Sequence, residues 1–279
     1  MLLRYPGGKS RGKLAAQILA IIEKRLKETG CKSFCEPFFG GGGIAFMLLK
    51  RGLISHLAIN DFDYSIARLW NTVIAHHGWL QAKVTAFEPS VDAFVYSKER
   101  ILAGDGNAFD TLVAARLSHG GRGVMAGPQG GYKQTNREPP KRKDGTLGKI
   151  YDIKCRWNPV RLCKEIQEAH DLFSSVEIYR GRCQEKSYES FLDNKLLQGY
   201  LFYLDPPYYA QGESLYRCGF EGCHDDLAGR LAHQDNWVLS YDNHDYVRQL
   251  YCDCNLVEMS HAGNGGAKQA NRELIITPF

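Results

Sequence analysis

The chain has 279 residues, of which 44% are hydrophobic, 24% charged and 11% aromatic, and its formal net charge is +4. This composition predicts a globular protein with one sizeable core or two smaller ones, and it excludes collagen-like, low-complexity and wholly disordered chains. No run of about 18 uncharged apolar residues occurs and no apolar signal segment opens the sequence, so neither a membrane span nor a secretory leader is expected.

The predicted elements alternate at both ends of the chain. The apolar spacing predicts a helix at 10–27, a strand at 33–36, a glycine turn at 40–43, a helix at 44–50, a strand at 56–60 and a helix at 64–76. Residues 77–172 are predicted to be helical and rich in loops, and further strands are predicted at 176–179, 200–204, 237–241, 255–259 and 273–277. This pattern favours one parallel α/β domain built from 1–76 and 175–279, with an insertion at 77–174.

The positive charge is concentrated in the predicted insertion. Residues 116–161 contain eleven Lys or Arg, three acidic residues and eight glycines, a net charge of +8 that leaves −4 on the rest of the chain. Because each phosphate that a cation neutralises releases counterions, a flexible basic segment favours binding to a polyanion. A solvated insertion without a ligand is the alternative that the charge alone leaves open.

The nine cysteines are an odd number and, without a secretory signal, predict reduced thiols in a cytosolic compartment. Cys218, Cys223 and His224 lie close together in the sequence, as do Cys252 and Cys254. Neither group has the CxxC spacing with which two thiolates share a tetrahedral zinc ion, so no metal site is expected.

A glycine-rich turn follows the first predicted strand. Residues 40–45 contain G-x-G-x-x-A, and Asp61 ends the second strand 21 residues after Gly40. Such glycines let a cofactor approach the next helix N-terminus, and a carboxylate at the second strand can accept hydrogen bonds from both ribose hydroxyls. These features predict a nucleoside-containing cofactor and leave NAD and S-adenosylmethionine open. Residues 3–10 lack the first glycine and the preceding strand of a phosphate-binding loop, which argues against a nucleotide triphosphatase.

The sequence Asp205-Pro206-Pro207-Tyr208 comes directly after the strand at 200–204. Prolines remove backbone N–H groups, so carbonyls beside them have no competing local donor. A carboxylate next to such a carbonyl suits an exocyclic amino group with two N–H donors, and a tyrosine offers a face for stacking the ring. Because open parallel sheets bind ligands at the carboxyl ends of their strands, the motif predicts a site for an amino-substituted ring.

Five segments occur together in this chain: Y-P-G-G-K at 5–9, C-E-P-F-F-G-G-G-G at 35–43, I-N-D-F-D at 59–63, L-D-P-P-Y at 204–208 and N-R-E-L-I-I at 271–276. In sequence and order they resemble the Dam-type, D12 class family of DNA adenine N6-methyltransferases that carry a DPPY motif. The resemblance covers about 1–75 and 175–279. It implies a Rossmann-like S-adenosylmethionine-dependent methyltransferase sheet with an inserted helical and loop-containing DNA-recognition domain at 77–174.

The resemblance also implies roles for individual residues. Lys9 would bind the methionine carboxylate of S-adenosylmethionine, and Asp61 the ribose. The cofactor-binding residues would be Tyr5, Lys9, Glu36, Phe38, Gly40, Gly42, Asp61 and Asp205, with Cys183 and Gln184 at the usual place of a cofactor-adenine contact. The catalytic residues would be Asp205, Pro206, Pro207 and Tyr208. The DNA-binding candidates are Arg4, beside the cofactor motif, and Arg116, Arg122, Lys133, Arg137, Lys141, Arg142 and Lys143 in the basic segment.

The expected reaction is methyl transfer from S-adenosylmethionine to adenine N6 in double-stranded DNA, with the base flipped out of the helix, in a bacterial or phage-infected cytoplasm. The alternatives are an RNA adenine methyltransferase, an NAD-dependent oxidoreductase and a catalytically silent nucleic-acid-binding protein. The basic segment has few amide side chains that read adenine edges: Gln129, Gln134, Asn136 and Asn158. Relaxed or short-motif specificity is therefore expected. Oligomeric state and biological role, including restriction–modification, stay open.

Overall fold

The computed structural model describes residues 2–3, 9, 12–134, 139, 141–148, 150–210, 216–261 and 271–279, and only the backbone at 260–261 and 271–272. Its helices are α1 (Gly12–Thr29), α2 (Gly43–Lys50), α3 (Tyr64–Ala86), α4 (Val91–Ala103), α5 (Ala108–Leu117), α6 (Pro159–Ser174), α7 (Tyr188–Leu192), α8 (His224–Leu231) and α9 (Asp245–Leu250). Its strands are β1 (Ser33–Glu36), β2 (His56–Ile59), β3 (Glu177–Ile178), β4 (Leu201–Leu204), β5 (Trp237–Asp242), β6 (Asn255–His261) and β7 (Asn271–Thr277).

The chain divides into two compact units. One, which we call the helical unit, comprises Met1–Pro6 and Arg68–His170. The other, the sheet unit, comprises Gly7–Ala67 and Asp171–Phe279 and contains all seven strands. The assignment of 1–76 and 175–279 to a catalytic domain and of 77–174 to an inserted recognition domain stays a prediction.

The sheet unit is an open, twisted arrangement of seven strands in the order β3-β2-β1-β4-β5-β7-β6. The first five strands in that order are parallel, and β7 is antiparallel to both β5 and β6. From β1 the chain moves to β2 and β3 on one side, and it then returns to β4 on the other side. Ligands of open α/β sheets bind at the carboxyl ends of the strands beside such a reversal. The predicted α/β fold is confirmed.

The central strands are buried on both faces, which explains their nearly continuous apolar sequence. All four residues of β4 are buried, and Leu204 is paired with Leu239 of β5. Helix α1 adds a buried stripe of the periodicity expected of an amphipathic helix, formed by Ala15, Ile18, Leu19, Ile22 and Leu26. The carboxyl ends of β1, β4 and β5 are therefore held on a rigid core.

Several predicted elements differ from the structure at their ends, and three of these differences are larger or have a visible cause. Helix α3 continues beyond the predicted end at His76, but His76 itself has non-helical angles, so the sequence signal marks a kink. Strand β3 is two residues long instead of four, because Arg180 adopts a φ of 55° in the turn that follows it. Strand β6 is longer than predicted and ends at His261. The order of the predicted strands is unchanged.

In the helical unit, polar caps define where the helices begin. Ser90 accepts a hydrogen bond from the Ala93 N–H at 3.1 Å before α4. Asn107 and Asp110 form a capping box at the start of α5. Each cap satisfies backbone donors that a helix N-terminus leaves without partners, which is why the elements begin where they do.

Candidate active site

The D-P-P-Y motif forms the loop that leaves β4 at its carboxyl end. Beyond it, the N–H groups of Tyr209 and Ala210 donate to the two carboxylate oxygens of Asp242, each at 3.0 Å. Asp242 is the last residue of β5, the neighbouring strand. The end of β5 therefore fixes the backbone that follows the motif.

Asp205, the first residue of the motif, has one carboxylate oxygen held by the protein. Its Oδ1 accepts hydrogen bonds from Lys9 Nζ at 2.5 Å and from Ser240 Oγ at 2.9 Å. Ser240 is in turn 3.0 Å from the hydroxyl of Tyr203, and both are buried. The Asp205 side chain is still 21% exposed, so this anchored carboxylate can be reached by a ligand.

Lys9 connects the motif to the opposite end of the chain. Its ammonium lies 3.1 Å from Glu273 Oε1 on β7 and also contacts the hydroxyl of Tyr208, which donates to the same Glu273 oxygen at 2.7 Å. The side chains of Lys9 and Glu273 are each 3% exposed. Burial by itself would lower the pKa of Lys9, but Asp205 and Glu273 outweigh it and raise that pKa, so the ammonium is charged. Burial raises the pKa of Glu273, although Lys9 opposes this effect.

Glu36, the last residue of β1, is a buried carboxylate with an unused acceptor. The side chain receives a hydrogen bond from the Ala45 N–H, but its Oε2 has no partner among the described residues. Burial raises the pKa of Glu36 well above its usual range, and the negative charge of Asp205 adds to this shift. Since buried polar atoms are normally paired, this oxygen is suited to a donor that a ligand brings.

Asp61 ties the glycine turn to the end of β2. Its two oxygens accept hydrogen bonds from the Gly40 N–H at 2.7 Å and the Asp63 N–H at 2.9 Å. Burial and the Asp63 charge raise the pKa of Asp61 to about 7. Gly42 has a φ of 65°, and a Cβ there would lie 2.5 Å from the Phe39 ring, so the turn requires glycine at this position.

Cys183 and Gln184 lie beside Asp61, as their predicted position requires. The Gln184 N–H donates to the Ile59 carbonyl at 2.9 Å, and the Asp61 N–H donates to the Gln184 carbonyl at 3.1 Å. Cys183 is fully buried and Gln184 is 2% exposed. Burial raises the pKa of the Cys183 thiol well above its usual range, so the thiol is neutral. These residues extend the pairing beyond β3 and hold Asp61 in place.

A cavity of about 410 Å³ opens beside the motif. It is lined by Pro207, Tyr208, Tyr209, Phe220, Glu221, Gly222, His224, Asp225 and Tyr246. The rings of Tyr209 and Tyr246 are stacked with centroids 4.6 Å apart, and Phe38 contacts Phe220 edge-on at 5.5 Å. Burial lowers the pKa of His224, so the lining carries no strong cation from that ring. Aromatic faces with two carboxylates suit a flat ring that carries N–H donors.

The described site residues fit S-adenosylmethionine in part. Asp61 and the glycine turn suit a ribose, because each carboxylate oxygen retains a second lone pair for a hydroxyl. The free oxygen of Glu36 suits the cationic, donor-bearing end of the cofactor. Lys9, by contrast, is already bound to Asp205 and Glu273, so its assignment to the methionine carboxylate stays a prediction.

The DNA-binding candidates divide into three groups. Arg4, Arg137 and, among the cofactor candidates, Tyr5 lie outside the described residues. Lys133, Lys141, Arg142 and Lys143 are exposed and Arg122 is half-buried, all in the helical unit. Arg116 differs from them, since it is 6% exposed and binds Glu165 at 2.5 Å. Its burial does not fit the predicted surface contact with DNA and instead links α5 to α6.

The amide side chains of the basic segment are used mostly within the protein. Gln134 donates to the Gln129 carbonyl at 2.7 Å and accepts from the Ile153 N–H at 2.9 Å. Gln129 is 5% exposed, and Asn158 accepts from the Arg161 N–H at the start of α6. Asn136 lies outside the described residues. The amides of Gln134 and Asn158 are therefore engaged structurally, whereas the buried Oε1 of Gln129 has no hydrogen-bond partner among the described residues.

Several residues of the site were not predicted. Glu273 is the most informative, because in the segment N-R-E-L-I-I its carboxylate directly precedes three apolar residues, and a buried charge of that kind requires a partner. Ser240 has no such signal and is found only through the pairing of β4 with β5. Tyr216 comes later in the sequence than the D-P-P-Y motif. Burial, together with the charges of Asp205, Glu273 and Asp61, raises the pKa of its hydroxyl.

Three further points about the described residues concern metal ligands, disulfides and membrane-spanning helices. They contain no group of three or more His, Cys, Asp or Glu side chains arranged to hold a metal ion. None of the nine cysteines, all of which lie in the described part of the chain, forms a disulfide. No helix in that part is both long and apolar enough to cross a membrane.

Comparison with known proteins supports the resemblance drawn from the motifs. The family model "D12 class N6 adenine-specific DNA methyltransferase" matches residues 5–107. A curated relative, the type II methyltransferase M.MjaIII of Methanocaldococcus jannaschii, is 32% identical over 71 residues, which are 25% of this chain and 24% of the relative. The chain thus aligns with about a quarter of that relative. The resemblance to the D12 class is confirmed over the matched residues.

A solved structure is also similar in part. The crystal structure of SMU.472, a proposed methyltransferase complexed with SAH, is 10% identical with a TM-score of 0.24, covering 78% of this chain and 55% of that one. The fold assignment above rests on the strand order and not on this match.

Proposed function

We propose that this chain transfers a methyl group from S-adenosylmethionine to the N6 amino group of adenine in DNA. The observation that carries the proposal is the position of the Asp205 carboxylate. It is anchored at the carboxyl end of β4, next to the reversal of strand order, and Glu36 stands at the same end of the adjacent β1. The family match over residues 5–107 supports the same reaction.

In the proposed mechanism, Asp205 accepts a hydrogen bond from the nucleophile, which is the N6 amino group of adenine. Adenine N6 is a weak nucleophile because its lone pair is delocalised into the ring. Hydrogen bonds from N6 to the Asp205 carboxylate and the Pro206 carbonyl would localise that lone pair and stabilise the positive charge that develops on nitrogen. S-adenosylmethionine, when bound, supplies an electrophilic methyl group on its sulfonium.

Tyr208 and the cavity beside it position the ring. The Tyr208 hydroxyl is held by Glu273 and the Lys9 ammonium lies over the Tyr208 ring, 4.6 Å from its centroid, so stacking would use the opposite face. An adenine within a duplex cannot reach an enclosed pocket, so the base would flip out at a cost of a few kcal/mol. Much of the rate acceleration would then come from holding the nucleophile in line with the methyl group.

The helical unit is proposed to hold the DNA. Exposed Lys133, Lys141, Arg142 and Lys143 would contact phosphates, which fix position without reading sequence. With Gln134 and Asn158 engaged in the fold, relaxed or short-motif specificity is favoured. We further propose the cytoplasm of a bacterial or phage-infected bacterial cell as the location of this activity, and restriction–modification is one role consistent with it.

The direct test is methyl transfer from radiolabelled S-adenosylmethionine to unmethylated DNA, RNA and protein offered separately. We expect label in DNA, released on digestion to nucleosides as N6-methyl-2′-deoxyadenosine. Label only in RNA would make this an RNA adenine methyltransferase, and binding of NAD without S-adenosylmethionine would reject the proposal. Sequencing of modified adenines in genomic DNA then measures specificity: one sharp motif of four or more bases at high enzyme concentration would contradict relaxed recognition.

A further inference from the structure

Glu273 is a buried charged residue on β7, the strand between β5 and β6. Leu274, Ile275 and Ile276, which follow it on β7, are fully buried, and Glu273 itself is 2% exposed. Its register partner on β5 is Asp242, whose side chain turns to the loop after the D-P-P-Y motif. A carboxylate in such a place is costly unless it is paired, so its partners indicate its role.

Two partners of Glu273 among the described residues belong to the catalytic cluster. Lys9 Nζ is 3.1 Å from its Oε1, and the Tyr208 hydroxyl donates to that oxygen at 2.7 Å. The same Lys9 ammonium binds the Asp205 carboxylate at 2.5 Å. One cation is thus shared between two buried or half-buried carboxylates.

We infer that Glu273 is a positioning residue that neutralises Lys9, so that Asp205 keeps its negative charge for the substrate amino group. The inference rests on the proposed function. With Lys9 and Asp205 alone, the pair would be neutral and would offer little field to a nitrogen that becomes positive. With Glu273 present, the three groups carry one net negative charge, and Asp205 is the member of the cluster that is exposed to a ligand.

The electrostatic reasoning follows from burial. Charges in a water-excluded site interact much more strongly than at a surface, so a net charge of −1 there stabilises a developing cation effectively. Glu36 lies close enough for its charge to interact with Asp205, and its protonation is favoured by burial. Glu273, whose Oε1 lies 3.1 Å from Lys9 Nζ, is the carboxylate that balances Lys9 directly.

The test uses two cofactor analogues that differ in charge at the reacting position. S-adenosylhomocysteine is neutral there, whereas sinefungin carries an ammonium in place of the methylsulfonium. Glu273→Gln keeps the shape of the side chain and one carbonyl acceptor but removes its charge. Calorimetry should show S-adenosylhomocysteine binding within about threefold of wild type, and sinefungin binding weakened about tenfold, the effect of a lost charge–charge contact of about 1.4 kcal/mol. Single-turnover methylation should slow by about 100-fold, as when one stabilising group is lost.

A matched control and a second variant separate charge from structure. Glu258→Gln changes a carboxylate on the adjacent strand β6 that pairs with Arg248 at 2.9 Å, outside the cluster, and should leave both ligands and the rate unchanged. Lys9→Met should act with the opposite sign, because it leaves two carboxylates without a cation: the preference for sinefungin over S-adenosylhomocysteine should rise. This second variant decides the matter if Glu273→Gln does not fold.

Three results would overturn the inference. They are an unchanged analogue preference in Glu273→Gln, an equal loss of both analogues together with a lower unfolding temperature, and a reduced sinefungin preference in Lys9→Met. A wild-type chain that binds neither analogue would instead reject the proposed function, so the two failures are distinguishable.

Discussion

The two units of the chain use charged residues in opposite ways. In the sheet unit, Lys9, Asp205 and Glu273 come from distant parts of the sequence and meet in a largely buried cluster. In the helical unit, Lys141, Arg142 and Lys143 are consecutive and exposed. Buried charges are held in one position and interact strongly. Exposed charges are screened by salt, and their effect on binding depends on how many there are.

This contrast separates chemistry from binding. A single change in the buried cluster should alter the rate of methyl transfer greatly, because no solvent can replace the missing group. A single change among exposed lysines should alter affinity slightly and only through the count of phosphates neutralised. The predictions below test this division from the largest expected effect to the smallest.

Asp205→Ala should reduce methylation at least about 1,000-fold, because the acceptor that stabilises the developing charge on N6 is lost. Asp205→Asn retains a carbonyl acceptor without charge, so its methylation rate should lie between those of wild type and Asp205→Ala. Radiolabelled methyl transfer measures both, and the unfolding temperature and DNA affinity should change little. Asp193→Ala, which removes an exposed carboxylate of the same unit, is the control and should be fully active. Full activity in Asp205→Ala would end the proposed mechanism.

Asp61→Ala should weaken binding of S-adenosylhomocysteine by about 10- to 100-fold, since hydrogen bonds to a charged group contribute about 1.5–3 kcal/mol. The variant also frees the Gly40 N–H, which Asp61 now binds at 2.7 Å. Glu177→Ala, an exposed carboxylate of β3, provides the control. Equal affinity in Asp61→Ala, measured by calorimetry, would remove Asp61 from the cofactor site.

The sequence predicted the parts of the site that are local and left out those that depend on strand order. The glycine turn, Asp61 and the D-P-P-Y loop each follow one strand directly, and all three lie where they were expected. Ser240 and Glu273 reach Asp205 and Lys9 only because β5 lies beside β4, and β7 beside β5, in the sheet. Arg116 illustrates the converse, since its composition-based assignment to DNA ignored Glu165, 49 residues away.

The raised pKa of Asp61 predicts a pH dependence of both stability and binding. Because its folded pKa is about 7 and its unfolded value near 4, the stability it contributes without cofactor is complete below pH 4 and is lost as pH rises through 7. A ribose diol prefers the ionised acceptor, so affinity for S-adenosylhomocysteine should rise up to about tenfold per pH unit until pH 7. Asp61→Asn should flatten both dependences, and an unchanged pH profile in that variant would assign them to another group.

Replacing Lys141, Arg142 and Lys143 together by Ala should weaken DNA binding similarly on all sequences. Three fewer phosphate contacts should reduce the slope of log affinity against log salt by about 2.7. Lys24→Ala, Lys27→Ala and Lys50→Ala combined remove the same charge from the sheet unit and serve as the control. If the two triple variants give equal slopes, net charge and not the basic segment governs binding. A loss confined to one DNA sequence would instead indicate base readout.

Gln134 carries the smallest expected effect. It is a polar residue of the helical unit, but its side chain is held by specific hydrogen bonds within the protein, as the charges of the buried cluster are. Its side chain joins Gln129, Gly131 and Ile153, while its own φ of 40° is unfavourable for a residue with a Cβ. Gln134→Ala loses the hydrogen bonds and keeps the backbone cost, whereas Gln134→Gly loses the same bonds but relieves that cost by about 1 kcal/mol. We therefore expect both variants to unfold more easily, by about 1–3 kcal/mol, with Ala less stable than Gly. Denaturant unfolding and limited proteolysis measure the order. If Gln134 only orders the basic segment, the rate of methylation at low salt should stay within about twofold of wild type. Equal stability of Gln134→Ala and Gln134→Gly would show that the backbone strain is absent in solution.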